Sequence, residues 1–540
     1  MRETKGKNKR DCVGWRTRLA AGVVPLLCAG GASAGTVDFA DGSRIEYLLN
    51  LTYSAAMRVD DASDRLEANI NGDDGNRNFD AGTLINNRVA ALGELRYERN
   101  RMGVFARGSA FYDDAVAGSD PDHDAPDRRN RSGDPDRFSD AMKSQLGRRA
   151  RALDAYAYGT WDIAGTSFSA RAGEQVVSWG ESLFFPNTSG AQSPADATSS
   201  NVPGTEVKDI LLPVGQVYLQ WGITSRLGLS GYVQYENEYT ELNPVGAYFS
   251  TTDTVGPGAE FLLAEIPQVG ALQVPRGPDI KPADGRQWGV SAKYLLGMGT
   301  ELALQYVRYH DPNPTGVVFN NPGPVDLISG NSSYQVLYTD DIRLASASLS
   351  TDISGTALTA EVSHRWDAGV SVDAPALAGS PAPTPTTADV WQANLGAFHI
   401  FLPTAFWDQL IVLGEVAGVH VADVDPVMAG GQSFDELSKS ENAAAFQGQM
   451  IFTYQQVFAG WDLGVTLAHA NAFEGSTSLN ASLGSLTGQG DRRYRLGFGF
   501  TYLANLQFEV AYNHFDGSPD TGRRALADRS FASFSAKYSF

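Results

Sequence analysis

Hydrophobic and polar residues alternate with a period of two through eighteen segments of the chain. Alternation of this kind predicts strands whose two faces meet different environments. The last segment shows it most clearly, because Phe534, Ala536, Tyr538 and Phe540 share one face and three serines and a lysine share the other. The segment at 342–350 shows it least clearly. The segments are 44–54, 87–98, 103–112, 151–163, 167–177, 214–223, 227–236, 287–295, 300–310, 342–350, 354–366, 390–401, 408–420, 443–455, 461–469, 493–503, 506–515 and 530–540.

The connections between these segments alternate in length. Each even-numbered segment that another follows leads into a short turn, such as 100–102 or 164–166. Odd-numbered segments lead into long polar loops, among them 113–150, 178–213, 237–286, 367–389 and 470–492. This asymmetry is typical of outer-membrane barrels. We therefore expect an all-β fold: a transmembrane antiparallel up-and-down β-barrel of about 18 strands, with long extracellular loops and short periplasmic turns.

The alternation also assigns a lipid face and a lumen face to each strand. On the lipid face, aromatic residues occupy the periplasmic ends of descending strands, where amphipathic rings meet lipid headgroups. These residues are Tyr97, Trp161, Trp221, Tyr294, Phe401, Tyr454, Tyr502 and Phe540. The lumen face carries both charge signs, and its predicted lining includes Arg96, Arg107, Asp154, Arg171, Glu361 and Arg495. Such charges pair across strands to fill the interior, or line a polar pore, and both readings can hold together.

The amino-terminal segment has the composition of a secretory signal peptide. Seven basic residues precede an apolar, uncharged run at 19–29, and a small-residue cleavage site follows. We expect cleavage between Ala34 and Gly35, which leaves residues 35–540 as one barrel domain. A membrane anchor is a poor alternative because the apolar run is too short to span a bilayer. A lipoprotein signal at Cys28 is another, but Leu27 is too large for the position before the acylated cysteine.

The predicted mature chain has no cysteine, since both cysteines lie within residues 1–34. Disulfide frameworks, cysteine-based metal sites and cysteine nucleophiles are therefore excluded. The mature chain retains 35 basic and 60 acidic residues, a net charge of −25. It lacks the basic footprint of a nucleic-acid-binding protein, so we expect no nucleic-acid partner.

The final strand resembles the carboxyl-terminal sorting signal of Gram-negative outer-membrane barrels. That signal typically ends in Phe with an aromatic residue two positions earlier, as Phe540 and Tyr538 do here. The resemblance implies recognition by the barrel-assembly machinery. It also implies a location in the outer membrane, in contact with membrane lipids and lipopolysaccharide.

Two of the long loops contain apolar clusters, which are costly in water unless they are buried. Phe184 and Phe185 lie in the 178–213 loop, and residues 261–263 (Phe261, Leu262 and Leu263) lie in the 237–286 loop. These clusters would form a constriction in the barrel mouth, line a port for an apolar ligand, or pack on one another as an extracellular cap. The sequence leaves the three alternatives open.

Three other features point weakly to chemistry. Five histidines end successive ascending strands on the lipid face: His310, His364, His420, His469 and His514. Ascending strands lie about 10 Å apart, too far for shared metal ligation, which favours an interfacial belt.

The acidic tracts 71–75 and 120–124 lack the full spacing of a calcium loop, which favours solvated turns. Residues 180–183 look like an esterase nucleophile block without its α/β context. We therefore expect no catalytic site, metal or cofactor, and no enzyme.

Several tracts resemble a large proteobacterial family known as domain of unknown function 1302. They are residues 171–182 (RAGEQVVSWGES), 184–187 (FFPN), 86–88 (NNR) and 405–408 (AFWD). The resemblance covers nearly the whole mature chain and implies an outer-membrane protein. It also implies a role beside an RND-type exporter and a periplasmic protein of lipid-carrier-like fold. The implied function is the movement of a hydrophobic or lipid-like compound across the envelope.

The combined prediction is an outer-membrane channel or transport component. Residues 35–43 are too few for a plug domain, so any gate must come from the loops. The competing interpretation is a non-conducting barrel that displays long acidic loops for adhesion or ligand capture. An open lumen with a loop constriction would favour transport, and an occluded lumen would favour display.

Overall fold

The computed structural model describes residues 35–125, 128–266, 269–297 and 299–540, so the predicted signal peptide with Ala34 lies outside the described residues. Eighteen long antiparallel strands form one sheet, which closes where the last strand, Phe531–Ser539, pairs with Arg44–Arg58. The predicted 18-stranded barrel is therefore confirmed. Within the described residues, no helix is long and apolar enough to cross a membrane.

Each barrel strand pairs with the strands before and after it in the chain. The barrel strands are β2 (Arg44–Arg58), β3 (Leu84–Arg99), β4 (Met102–Asp113), β5 (Arg148–Ile163), β6 (Thr166–Gln175), β7 (Val214–Gly222), β8 (Leu227–Gln234), β11 (Trp288–Gly297), β12 (Thr300–Tyr309), β15 (Ile342–Ile353), β16 (Thr356–Pro375), β17 (Pro381–Phe401), β18 (Gln409–Val424), β21 (Asn442–Phe458), β22 (Trp461–Glu474), β23 (Arg492–Tyr502), β24 (Leu506–Asp516) and β25 (Phe531–Ser539). All eighteen predicted segments are present, including the weakest one, which is β15.

The remaining elements are short. Seven further strands are β1 (Gly35–Asp38), β9 (Phe261–Ile266), β10 (Gly270–Pro275), β13 (Gly316–Asn320), β14 (Ser333–Leu337), β19 (Val427–Ala429) and β20 (Gln432–Phe434). The helices are α1 (Asp64–Glu67), α2 (Asp74–Arg77), α3 (Asp114–Ala117), α4 (Asp140–Met142), α5 (Val207–Ile210) and α6 (Pro324–Ser329), with a π-helical turn at Lys143–Gly147 and 3-10 turns at Thr188–Ala191 and Leu377–Gly379. Gly35 begins β1, which pairs with β2 at Tyr47.

Tight hairpins form the short-turn end of the barrel. Asn100 and Arg101 join β3 to β4 with φ values of 52° and 65°, and Ala164 and Gly165 join β5 to β6 with 50° and 79°. Two consecutive residues of positive φ make a turn whose twist matches that of the flanking strands. These turns fix the register, and the register decides which side chains face lipid.

The register confirms the predicted faces of the last strand. Lys537 forms an ion pair with Glu206, which lies in a loop inside the barrel. Tyr538 points the opposite way and packs against the ring of Phe540. The strands therefore present apolar side chains outward and polar side chains to the lumen, as a membrane barrel requires.

The predicted 367–389 loop is wrong in one respect, because most of it is strand. β16 runs to Pro375 and β17 begins at Pro381, so the two strands form a long hairpin. Inward-facing alternation continues through Ala368, Val370 and Val372, all of which are buried. This burial stabilises the extended strands although the sequence there is rich in proline and threonine.

Candidate functional site

The loop between β6 and β7, residues 176–213, folds into the barrel and crosses the lumen; we call it the inserted loop. At one wall, the carboxylate of Glu361 on β16 holds its first half. That carboxylate accepts hydrogen bonds from the backbone N–H of Glu181 at 2.8 Å, the backbone N–H of Thr188 at 2.9 Å and the hydroxyl of Ser182 at 3.1 Å. Glu361 is buried. A buried carboxylate with several donors is a strong fixed anchor.

A second carboxylate on the same wall holds the next residues of the inserted loop. Glu415 on β18 accepts hydrogen bonds from the backbone N–H groups of Phe184 and Phe185 and, at 2.9 Å, from the side-chain amide of Asn394. Glu415 is 1% exposed. The chain at 181–188 is therefore seated against β16, β17 and β18.

The other half of the inserted loop reaches the opposite wall. Glu206 pairs with Lys537 on β25. Nearby, a Cβ placed on Gly204 would lie 3.3 Å from the Cβ of Ser535 and 3.2 Å from a methyl group of Thr52. The inserted loop thus spans the lumen between two walls of the barrel.

Further ion pairs fix this second half beside β3, β4 and β5. Arg107 bonds Asp154 on the neighbouring strand at 2.8 Å and Asp209 of the inserted loop at 3.2 Å. Lys208 lies 3.8 Å from Glu94. The predicted lumen charges therefore serve two purposes, because they pair across strands and also hold the loop.

The inserted loop leaves a cavity of about 680 Å³ between itself and the wall formed by β21 to β25. The lining extends from Thr501 and Gln507, near the short turns, to Arg493 and Phe515 at the loop end of the same strands. The cavity therefore runs along the height of this wall. Its lumen-facing lining includes Gln447, Gln449, Arg495, Gly499, Glu509, Asn513, Ser533, Ser535 and Lys537.

The cavity is open on this side because the wall carries small residues. Gly464 and Gly499 face each other across β22 and β23, and a Cβ on either would meet its nearest neighbouring atom only at 3.8 Å or beyond. Charge is present but paired, since Arg495 bonds Glu509 at 2.6 Å. The surface thus combines a small-residue stripe with polar and charged groups.

Two other predicted lining residues, Arg96 and Arg171, lie on the lumen face nearer the short turns. Arg96 is 3.8 Å from Glu46, and Arg171 lies over the ring of Tyr218 at 4.7 Å from its centroid. Neither contacts the large cavity. The structure therefore distributes the six predicted lining residues around the barrel rather than in one site.

The two predicted apolar loop clusters have different environments. Phe185 is fully buried, and with Phe184 it lines a smaller cavity of about 270 Å³ between the inserted loop and the 475–491 loop. Leu262, by contrast, packs with Tyr334 and Leu327 of another loop. The residues 261–263 thus belong to an extracellular cap, which was one of the three alternatives. By the cap we mean the long loops 59–83, 235–287, 310–341 and 517–530, which pack on one another at this end of the barrel.

The cap contains buried charges that the sequence did not reveal. Arg58 at the loop end of β2 is fully buried and bonds the carbonyls of Asn76 and Phe79. Arg529, just before β25, donates to the carbonyl of Gly75. Neither Arg58 nor Arg529 lies in a sequence motif that would mark it as buried. Glu415 is different, because it is the one Asp, Glu, Lys or Arg residue between Asp408 and Asp423 in a largely apolar stretch and could have been singled out.

The predicted histidine belt is interleaved with aromatic rings. His364 lies 4.3 Å from Trp391 between ring centroids, and His469 stacks on Tyr494 at 4.6 Å. Tyr494 in turn stacks on His514 at 6.3 Å. Rings on the descending strands therefore separate the histidines, as expected for an interfacial belt. His310 differs, because it is buried and bonded to the carbonyl of Gly285.

Three comparisons relate the chain to known proteins. No curated protein matches it. Among solved structures, it is similar to Acinetobacter baumannii OccAB4 (10% identity, 94% of this chain and 99% of that chain covered, TM-score 0.45) and OccAB1 (10% identity, 95% and 99% covered, TM-score 0.44). It is also similar to Pseudomonas aeruginosa OccK2 (OpdF) in complex with glucuronate (10% identity, 92% and 98% covered, TM-score 0.42).

A protein-family match spans almost all of the sequence. The profile described as "Protein of unknown function (DUF1302)" matches residues 15–540. This range includes the inserted loop with its tract at 171–187 and every strand of the barrel. The chain is therefore a member of the DUF1302 family, which is described as a family of proteins of unknown function.

Proposed function

We propose that the protein is an outer-membrane channel of a Gram-negative cell, in which solute passes between the inserted loop and the wall of β21 to β25. The observation that carries the proposal is the cavity of about 680 Å³ that extends along the height of this wall. An interior packed for stability alone would hold few voids larger than a water molecule. An 18-stranded barrel has a wide lumen that loops must fill or narrow.

The inserted loop acts as a fixed constriction in this proposal. Buried carboxylates hold it at one wall, and Lys537 and Arg107 hold it at the other. Anchors at both ends restrict its motion, so the loop sets the width of the passage. The substrate then passes Arg495, Glu509 and Lys537 on one side and residues 200–207 on the other.

The lining favours an amphipathic substrate. Arg495, Glu509 and Lys537 offer charge to a polar end, while Gly499 and Phe515 offer an apolar surface to the rest. This composition is compatible with the lipid-like compound that the family resemblance implies. We include in the proposal that an RND-type exporter and a periplasmic protein of lipid-carrier-like fold deliver or receive that compound.

Single-channel conductance of residues 35–540, refolded and inserted into planar bilayers, tests the proposal. Replacing residues 201–206 with Gly-Ser-Gly removes part of one side of the passage, and we expect conductance to rise several-fold. The matched control replaces residues 428–433, the tip of the β19–β20 hairpin, with Gly-Gly and should leave conductance unchanged. Equal conductance in all three proteins would show that current does not pass the inserted loop.

The competing function is surface display, and the extracellular cap favours it. Within the cap, the β9–β10 and β13–β14 hairpins and α6 share an apolar core of their own. Such a cap offers a rigid surface for adhesion or ligand capture. The absence of conductance in the native and loop-shortened proteins, with both correctly folded, would favour display over transport.

A further inference from the structure

Three carboxylates from two loops meet inside the extracellular cap. Asp73 and Asp74 come from the 59–83 loop and Asp253 comes from the 235–287 loop. One carboxylate oxygen from each lies within 4.8 Å of the others, and all three residues are at most 2% exposed. The tract at 71–75 is therefore not a solvated turn, contrary to the interpretation that the sequence favoured.

The hydrogen bonds of the cluster leave acceptor capacity on Asp73. Asp73 uses one oxygen for Arg77 at 2.7 Å and Arg128 at 3.1 Å. Its other oxygen, Oδ1, is buried without a hydrogen-bond partner in the described structure. A buried carboxylate oxygen without a partner is costly, and native structures usually satisfy it with a proton, a water or an ion.

The cations that bond the cluster directly are concentrated at Asp73, which contacts both Arg77 and Arg128. Asp253 accepts a hydrogen bond from the backbone N–H of Asp74 at 3.1 Å, and its described side-chain contacts include no cationic group. Asp74 bonds His123 at 3.0 Å. Arg77, the closest cation of Asp73, is shared with Glu67 and Asp124.

This arrangement meets the requirements of a hard divalent cation. Calcium takes oxygen ligands at 2.3–2.6 Å, so two ligands on opposite sides of one ion lie about 4.6–5.2 Å apart. The three carboxylate oxygens all lie within 4.8 Å of one another, so they are close enough to contact the same ion. We propose that Asp73, Asp74 and Asp253 bind one Ca²⁺, and that the ion locks the 59–83 loop to the 235–287 loop.

The position of the cluster explains what the ion would do. Asp253 donates its own backbone N–H to the carbonyl of Asn71 at 2.8 Å, so the same two loops are already in register. Asn71 in turn bonds the backbone of Leu263 in the β9 strand of the cap. Ca²⁺ at the three carboxylates therefore stabilises the cap as a unit and leaves the inserted loop untouched.

The test uses residues 35–540 refolded from denaturant into detergent, which avoids lipopolysaccharide and its own bound cations. After dialysis against a chelator, CaCl₂ is titrated by calorimetry and TbCl₃ by luminescence. We expect one saturable equivalent per chain. Asp253→Asn and Asp73→Asn should each weaken Ca²⁺ affinity by at least tenfold. Asp136→Asn, an exposed carboxylate of the 114–147 loop, is the matched control and should bind as the native protein does.

Folding is checked separately by the heat-dependent gel mobility of the barrel, so that a variant that fails to fold is not mistaken for one that fails to bind. Limited proteolysis then measures how well the cap is folded. The cap should be cut several-fold more slowly in Ca²⁺ than in chelator in the native protein and in Asp136→Asn, but not in Asp253→Asn or Asp73→Asn. No saturable binding in the folded native protein, or equal affinity in all four proteins, would overturn the proposal. If the native protein binds no Ca²⁺, and the cap of Asp253→Asn in chelator is cut as slowly as the native cap with CaCl₂ added, a proton rather than an ion satisfies the cluster and the proposal is overturned.

Discussion

Single buried carboxylates decide where the inserted loop lies. Glu415 satisfies two consecutive backbone N–H groups of the loop, those of Phe184 and Phe185, in a fully buried setting. One glutamate on β18 thus positions a stretch of chain more than two hundred residues away in sequence.

Glu415→Gln should loosen that stretch without unfolding the barrel. Both loop N–H groups bond Oε2 of Glu415, so the amide oxygen of glutamine can accept from both, but more weakly than a carboxylate does. The new NH₂ group replaces Oε1 and faces the side-chain amide of Asn394, which costs about 1–3 kcal/mol per unsatisfied group. We expect faster hydrogen exchange at the amides of Phe184 and Phe185 and noisier single-channel current. Glu441→Gln, at a largely exposed site, is the control and should change neither. Unchanged exchange in the Glu415 variant would mean that the loop is held mainly by its other contacts.

The cap should show a pH dependence that comes from Asp253. Burial and the neighbouring carboxylates of Asp74 and Asp73 raise the pKa of Asp253 well above its ordinary value, and Arg529 opposes them weakly. A folded-state pKa above the unfolded one contributes stability at low pH, and this contribution is lost as pH rises through the raised pKa. In chelator, we expect the protection factors of the cap amides, which are corrected for the intrinsic rise of exchange with pH, to fall as pH increases across that range.

Calcium should remove this dependence, because the cation replaces the proton among the three carboxylates. Asp253→Asn should also flatten the profile, since its amide does not titrate. Hydrogen exchange of residues 59–83 at several pH values, with Ca²⁺ and with chelator, measures both effects. A cap that becomes better protected as pH rises in chelator would contradict the expected sign.

At the scale of the element, the alternation of apolar and polar residues predicted every barrel strand, because each strand has one face toward lipid and one toward the polar lumen. β15 illustrates the limit: its Leu-Ala-Ser-Ala-Ser-Leu stretch has small residues on both faces, yet it pairs along its whole length with β12 and β16. The β16–β17 hairpin is a case in which the sequence predicted too little strand. Its upper part carries prolines that signal a loop, but tertiary burial of Val370 and Val372 keeps it extended.

The carboxyl-terminal strand offers a prediction at this scale. The backbone N–H of Phe540 bonds the carbonyl of Leu49 at 2.9 Å, so the terminal residue takes part in barrel closure. Deleting Phe540 removes this bond and the aromatic end of the proposed sorting signal, and we expect a several-fold loss of assembled protein. Ser539→Ala, which keeps strand length and the terminal ring, is the control. Equal amounts of heat-modifiable barrel in outer-membrane fractions from both variants would count against the signal.

For the whole molecule, the sequence predicted the barrel but not the arrangement inside it. Strand faces follow from local periodicity, whereas the path of the inserted loop depends on distant contacts. Glu361 contacts residue 181, which is 180 positions away, and Lys537 contacts Glu206, which is 331 positions away. The same holds for the calcium site, whose carboxylates come from separate loops. Such contacts leave no periodic signal in one sequence. The period-two alternation shows which charged residues face the lumen, but it does not show which residues they pair with.

A disulfide across the lumen can decide whether the inserted loop is a fixed constriction or a moving gate. The Cβ that Gly204 would carry lies 3.3 Å from the Cβ of Ser535, close to the 3.5–4.5 Å of natural disulfides. The predicted mature chain has no other cysteine, so Gly204→Cys with Ser535→Cys forms one defined cross-link. The positive φ of Gly204, 81°, makes the first substitution cost about 1 kcal/mol, which a stable barrel tolerates.

If the loop is fixed, the oxidised double variant should conduct as the reduced one does, because the cross-link joins atoms that already touch. Open-channel noise should fall, since the remaining motion of residues 200–207 is restricted. The two single-cysteine variants control for the substitutions themselves. Current that stops on oxidation and returns with reductant would instead show that the loop must leave β25 for solute to pass, and the passage along β21 to β25 would then be a closed state of a gated channel.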